Sequence, residues 1–138
     1  MKKWITFAGA SVAALTSLVA FSGTASATGS ANIAYNGACG SGYSVVNWKN
    51  MQYGLGTVYL TYSKSSGYNC AVTIQTEQKY AGQMMVEIRR TGSSSWIRDS
   101  GSYRVYAGPV YVSAAGSCVD WYGTYLGGYA GGDGTNCS

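Results

Sequence analysis

The sequence predicts an all-β protein: a small antiparallel β-sandwich stapled by two disulfides, with a small closed β-barrel as the alternative. Three observations predict it. Short runs of β-branched and aromatic residues are punctuated by Gly and Ser, and no helical periodicity competes with them. The chain has 20 glycines and 13 tyrosines but a single proline, Pro109. Its four cysteines, Cys39, Cys70, Cys118 and Cys137, all follow a segment built like a secretory leader.

That leader comes first. Lys2 and Lys3 form a positive head, Trp4 to Phe21 is uncharged and apolar, and Ala25-Ser26-Ala27 offers small side chains for cleavage. Gly9, Ser11, Thr16 and Ser17 dilute the apolar stretch and argue against a membrane anchor. Residues 1–27 are therefore read as a signal peptide and residues 28–138 as a single secreted β domain, with no internal repeat and no later segment able to cross a bilayer as a helix. The formal net charge of +4 falls to +2 once Lys2 and Lys3 leave. That is too weak for nucleic acid, which needs a broad basic stripe. Arg89-Arg90, with Arg98 and Arg104 nearby, reads as a solvated strand end.

Eight strands are expected, over 43–48, 57–63, 69–77, 83–90, 95–99, 102–107, 110–115 and 117–122. Val58, Leu60 and Tyr62 alternate onto one face, as do Cys70, Val72 and Ile74, and Met84, Val86 and Ile88. Placing Ile74 opposite Val86 makes Gln78 to Gly82 a five-residue hairpin loop. Ser100-Gly101 and Ala115-Gly116 suggest two further hairpins, the second bringing Trp121 opposite Val110 in the core. Gly108-Pro109 would end one strand and begin the next. Residues 28–34 read as a loose N-terminus. The glycine-rich tail after Tyr122 would be flexible alone, but Cys137 ties it back.

The cysteines read as staples. No Cys-x-x-Cys pair and no histidine exist to make a metal or redox centre. Four cysteines permit three pairings; the favoured one joins Cys39 to Cys70 and Cys118 to Cys137, each to its nearest neighbour in sequence.

Little in the chain points to catalysis, and the expectation is a protein that is not an enzyme and takes no cofactor. Without histidine the usual base for a serine or cysteine nucleophile is missing. Glu77 and Glu87 show no convergence of the kind a glycosidase needs, and Asp99 and Asp120 read as solvent-facing or capping. Gly131-Gly132-Asp133-Gly134 has too few oxygen ligands for calcium and reads as a turn. The aromatic residues are the better lead. Tyr122, Tyr125, Tyr129 and Trp96 form the candidate binding surface, since rings with polar tips suit sugars, polymers and protein interfaces.

Ala34-Tyr35-Asn36-Gly37, Cys39-Gly40-Ser41-Gly42-Tyr43, Gly56-Thr57-Val58-Tyr59-Leu60-Thr61-Tyr62, Cys70-Ala71-Val72-Thr73-Ile74, Tyr106-Ala107-Gly108-Pro109-Val110-Tyr111 and Cys118-Val119-Asp120-Trp121 occur in that order. In these segments the chain resembles the spore-associated protein A family of filamentous actinomycetes. The match runs from residue 34 to about 122 and is weakest between Gln78 and Tyr103. It implies a small secreted protein at the spore surface or in aerial growth, and no catalytic residues. The leading expectation is thus a secreted, non-enzymatic spore- or cell-surface protein. The alternative is a secreted module that binds polysaccharide or inhibits a hydrolase, although Trp96-Ile97-Arg98 departs from the Trp-Arg-Tyr triplet of small amylase inhibitors. Expected partners are the spore or cell-wall surface, a glycan or a secreted protein. No membrane is expected once the leader is removed.

Overall fold

A computed structural model describes residues 29–138; the leader and its cleavage point lie outside the described residues. Eight strands form two antiparallel sheets: β1 (Ser44–Asn50), β2 (Gly56–Tyr62), β3 (Tyr68–Gln75), β4 (Gly82–Arg90), β5 (Ile97–Tyr103), β6 (Tyr106–Ser113), β7 (Val119–Tyr125) and β8 (Gly128–Thr135). The first sheet has the order β1-β2-β3-β6, the second β5-β4-β7-β8. The sheets stay open, so the architecture is a sandwich and not a barrel.

The expected alternation in β2 and β4 is present. Val58 and Leu60 meet Met84, Val86 and Ile88 between the sheets, with Ala71, Val110, Val119 and Trp121 completing that core. The predicted pairing of Ile74 with Val86 is wrong. β3 pairs with β2 and β6, whereas β4 pairs with β5 and β7. The reason is that β3 is buried on both faces. Cys70, Val72 and Ile74 point away from the inter-sheet core, and Val72 and Ile74 form a second cluster with Tyr59. Residues 76–81 therefore carry the chain from one sheet to the other.

That second cluster corrects the reading of a loose N-terminus. Ala31, Ile33, Tyr35 and Ala38 pack over Tyr59, Val72 and Ile74. The Tyr59 hydroxyl donates to the Ile33 carbonyl at 2.6 Å, and the Asn32 N–H donates to Asn50 Oδ1 at 2.8 Å. Disulfides join Cys39 to Cys70, pinning this arm to β3, and Cys118 to Cys137, closing the tail.

Three turn expectations also change. Ser100-Gly101 lies inside β5, facing Met85 and Met84 of β4. Ser and Gly tolerate this edge strand because its outer face has little to bury. Ala115-Gly116 does turn, but it links the two sheets. Val110 pairs with Ala71 and Trp121 with Ile88, so these two share the core without facing each other in a ladder. Gly108-Pro109 sits within β6, an edge strand with a register shift opposite it, where a missing N–H is tolerated. The tail itself forms β8, joined to β7 through Leu126 and Gly127, both at positive φ, as a tight hairpin turn requires.

Gly123 lets the sheets close. A Cβ there would collide with Thr73 Oγ1 and lie 2.7 Å from Val58 Cγ2. Thr73 cannot swing away without losing the 2.9 Å bond that its hydroxyl donates to the Met85 carbonyl. Gly123→Ala is expected to destabilise the fold by about 1–3 kcal/mol, the usual range for overpacking. Denaturant unfolding checks this; an unchanged midpoint would refute the close approach.

Candidate functional site

The outer face of the second sheet is built in cross-strand rows. Arg98, Glu87, Tyr122 and Gly131 lie side by side across β5, β4, β7 and β8. The adjacent row is Ser100, Met85, Thr124 and Tyr129. On the other side of the first row stand Arg89 and Asp120, with Trp96 just before β5. Alternation forces the arrangement: Met84, Val86 and Ile88 point into the core, so Met85, Glu87 and Arg89 point out.

The sequence-predicted residues divide between two places. Trp96 and Tyr122 come together, with ring centroids 6.0 Å apart at 60°. Tyr129 projects from the adjacent row of the same face and is 61% exposed. Tyr125 is not part of this surface. It is buried against the core and lines a cleft at the end of the sandwich. Its even spacing from Trp121, a core residue, already placed it on the inner face of the strand, while Tyr122 alternates outward.

Charged residues that sequence reasoning set aside hold the rings in place. The Arg89 guanidinium stacks on the Trp96 ring, 4.3 Å from its centroid, and its Nε donates to Asp120 Oδ2 at 2.8 Å. Asp120 is therefore not solvent-facing. It is buried and also accepts from Thr91 Oγ1 at 2.6 Å and from the Gly134 N–H at 2.8 Å. Burial works against its ionisation, but the hydrogen bonds from Thr91, Gly134 and Arg89 outweigh burial and hold its carboxyl below the usual range. Arg98 donates through Nε to Glu87 Oε2 at 2.7 Å. Both outward arginines are thus paired, and the face presents no basic stripe.

At the other ring, the Tyr122 hydroxyl donates to Asp133 Oδ2 at 2.6 Å. This bond, then burial, pushes the Tyr122 phenol up to about 12. A phenol raised above its unfolded value of about 10 contributes stability that is full below pH ~10 and lost as pH rises through ~12. Asp133→Asn is expected to bring the Tyr122 ionisation back toward 10 in a spectrophotometric titration. An unchanged titration would contradict the bond. Gly131 makes room for the ring: a Cβ there would clash with the Trp121 carbonyl oxygen and lie 2.8 Å from Tyr122 Cα. Gly131 and Asp133 belong to the segment read from sequence as a simple turn.

The carboxylates stay apart. Glu77 lines the end cleft, Glu87 is paired on the sheet face, and Asp99 lies within β5, accepting from the Gly108 N–H at 2.7 Å. Among the described residues no three Asp, Glu, Cys or His side chains gather in a way that could hold a metal ion. What the sheet face offers is a broad surface with three rings, of which Trp96 and Tyr122 are held by Arg89 and Asp133.

No family model and no solved structure matches the chain. Spore-associated protein A of Streptomyces coelicolor is 46% identical to it over 121 residues, covering 87% of this chain and 77% of that protein.

Proposed function

Since the chain belongs to the spore-associated protein A family, we propose that it is an exported, non-enzymatic protein of the spore or cell surface, retained there by the outer face of its second sheet. The observation that carries this reading is the ring surface of Trp96, Tyr122 and Tyr129. Two of its rings are fixed before any partner arrives: Trp96 by Arg89 and Tyr122 by Asp133. Such preorganisation lowers the entropy lost on binding. The face is broad, and its rows run across four strands, which suits a polymer lying along it better than a small molecule in a pocket. A wall or spore-coat polysaccharide is the partner this chemistry favours, because sugar C–H faces stack on tyrosine and tryptophan while hydroxyls meet the flanking polar groups. Two disulfides in a chain of this size fit an oxidising exterior.

Fractionation of sporulating cultures into cytosol, medium and spore-surface wash tests the placement. The expected product is disulfide-linked, lacks residues 1–27 and is found in the surface wash. A reduced, uncleaved product confined to the cytosol would overturn the reading.

A further inference from the structure

A cleft of about 320 Å³ opens at the end of the sandwich where β2, β4 and β8 begin and β3 and β7 finish. Its lining includes Tyr53, Tyr80, Leu55 and Leu126, with Glu77 and Gln75 as polar groups and no lysine or arginine. This volume lies at the lower end of small-ligand pockets. The site lies apart from the sheet face described above.

Three independent features mark the cleft as built for a ligand. The first is backbone strain. Tyr53 (φ 59°) and Gln78 (φ 51°) are two of only four non-glycine residues at positive φ among the described residues; a third, Leu126, owes its positive φ to the β7–β8 hairpin turn. Tyr53 and Leu126 line the cleft, and Gln78 lies in the loop that supplies Glu77 and Tyr80. Such conformations persist only where the surroundings enforce them. Here they do: Gln52 Oε1 accepts from the Tyr129 N–H at 2.9 Å, and the Leu55 carbonyl accepts from the Thr76 N–H at 3.0 Å, so the Tyr53 turn is fastened on both sides.

The second feature is a buried acceptor without a donor. Gln75 is fully buried, and its Nε2 donates to the carbonyls of Tyr80, Tyr103 and Arg104. That fixes the amide orientation and leaves Oε1 with no protein donor. The third is exposure. Tyr53 and Tyr80 are 93% and 69% exposed, a large cost in bare aromatic surface at one opening.

The occupant must therefore bring an apolar face for tyrosine rings, hydrogen-bond donors for Glu77, and no negative charge. A neutral sugar ring and an organic cation both meet these terms. Lys79 decides between them: its Nζ lies 5.1 Å from the Tyr80 ring centroid, so a positive charge already sits on the ring a cation would use. We propose that this cleft is a binding site for a terminal neutral pyranose of a glycan chain. The ring stacks against Tyr80 and Tyr53, and its hydroxyls donate to the Glu77 carboxylate at the rim.

The test is an NMR titration of the isotope-labelled, disulfide-intact protein with maltotriose, cellotriose and chitotriose. At least one is expected to bind saturably with a Kd of about 1 mM, shifting the amides of Leu55, Gln75, Ala81 and Leu126. Tyr80→Ala and Glu77→Gln, both at exposed positions, are each expected to weaken binding about tenfold. Lys64→Ala, in the exposed β2–β3 turn at the opposite end of the sandwich, is expected to leave it unchanged. The proposal is overturned if none of the three sugars saturates, if Tyr80→Ala has no effect, or if tetramethylammonium shifts the same amides. Because polymer retention is assigned to the sheet face, losing either site leaves the other reading standing.

Discussion

Asp120→Ala is expected to lower stability by about 3 kcal/mol, although it removes no apolar surface. Asp120 ties together β4 through Arg89, the loop after it through Thr91, and β8 through Gly134. Removing one partner of a buried pair costs about 3–5 kcal/mol, because the other charge is left uncompensated. The low end applies because Arg89 keeps 28% of its side chain exposed, so water can partly replace the lost carboxylate. The pH dependence has a definite sign. A carboxyl held below its unfolded value of about 3.9 contributes stability that is full above that value and lost as pH falls through the folded value. The wild type is therefore expected to lose this contribution only below about pH 4, and the variant to lack it throughout. Denaturant unfolding across the acid range measures both. Equal stability of the two proteins at neutral pH would show that Asp120 is not the tie described.

Replacing Cys39 and Cys70 together by alanine is the second large change. The bridge spans 31 residues, and loop entropy assigns its closure about 3–4 kcal/mol. The span of 19 between Cys118 and Cys137 gives only a few tenths of a kcal/mol less. The two losses are nevertheless expected to differ clearly. Cutting Cys39–Cys70 frees the arm that covers Tyr59, Val72 and Ile74, whereas Cys137 is an exposed residue at the end of the tail. Hydrogen exchange should show the N-terminal arm losing protection in the first double variant and keeping it in the second. Equal losses, or an arm that stays protected, would contradict the clamp.

Much of the fold was legible because alternation is local. In β2 and β4 each side chain's face follows from its neighbours, and the expected inward sets, Val58 with Leu60 and Met84 with Val86 and Ile88, meet in the core. Pairing was less legible. Residues Cys70, Val72 and Ile74 look like the inward face of a half-buried strand, but both faces of β3 are covered, so alternation could not say which way they point. The arm that covers the outer face comes from residues 31–38, whose contacts with β2 and β3 are distant in sequence. Ser100-Gly101 and the tail glycines have turn chemistry, but ladder bonds to β4 and β7 override it.

The ring surface shows the same split. Trp96 and Tyr122 were identifiable as exposed-capable aromatics, but Arg89 and Asp120 are 31 residues apart and meet only through the β4–β7 ladder. The end cleft was not legible because its lining comes from residues 53–55, 75–81 and 125–126, which are distant in sequence. Tyr53 gave no sign of its strained backbone, since left-handed geometry leaves no mark in a tyrosine codon's neighbours when the turn is fastened from afar.

The proposed retention of this protein on the spore or cell surface by the outer face of its second sheet has a direct test. The direct measurement is co-sedimentation of the purified protein, lacking residues 1–27, with washed spores, comparing wild type with Trp96→Ala and Tyr129→Ala combined. The wild type is expected to sediment saturably, and the double variant, folded by circular dichroism, to bind at least about tenfold more weakly, roughly the loss of two ring contacts. Undiminished sedimentation of the folded double variant would contradict the claim.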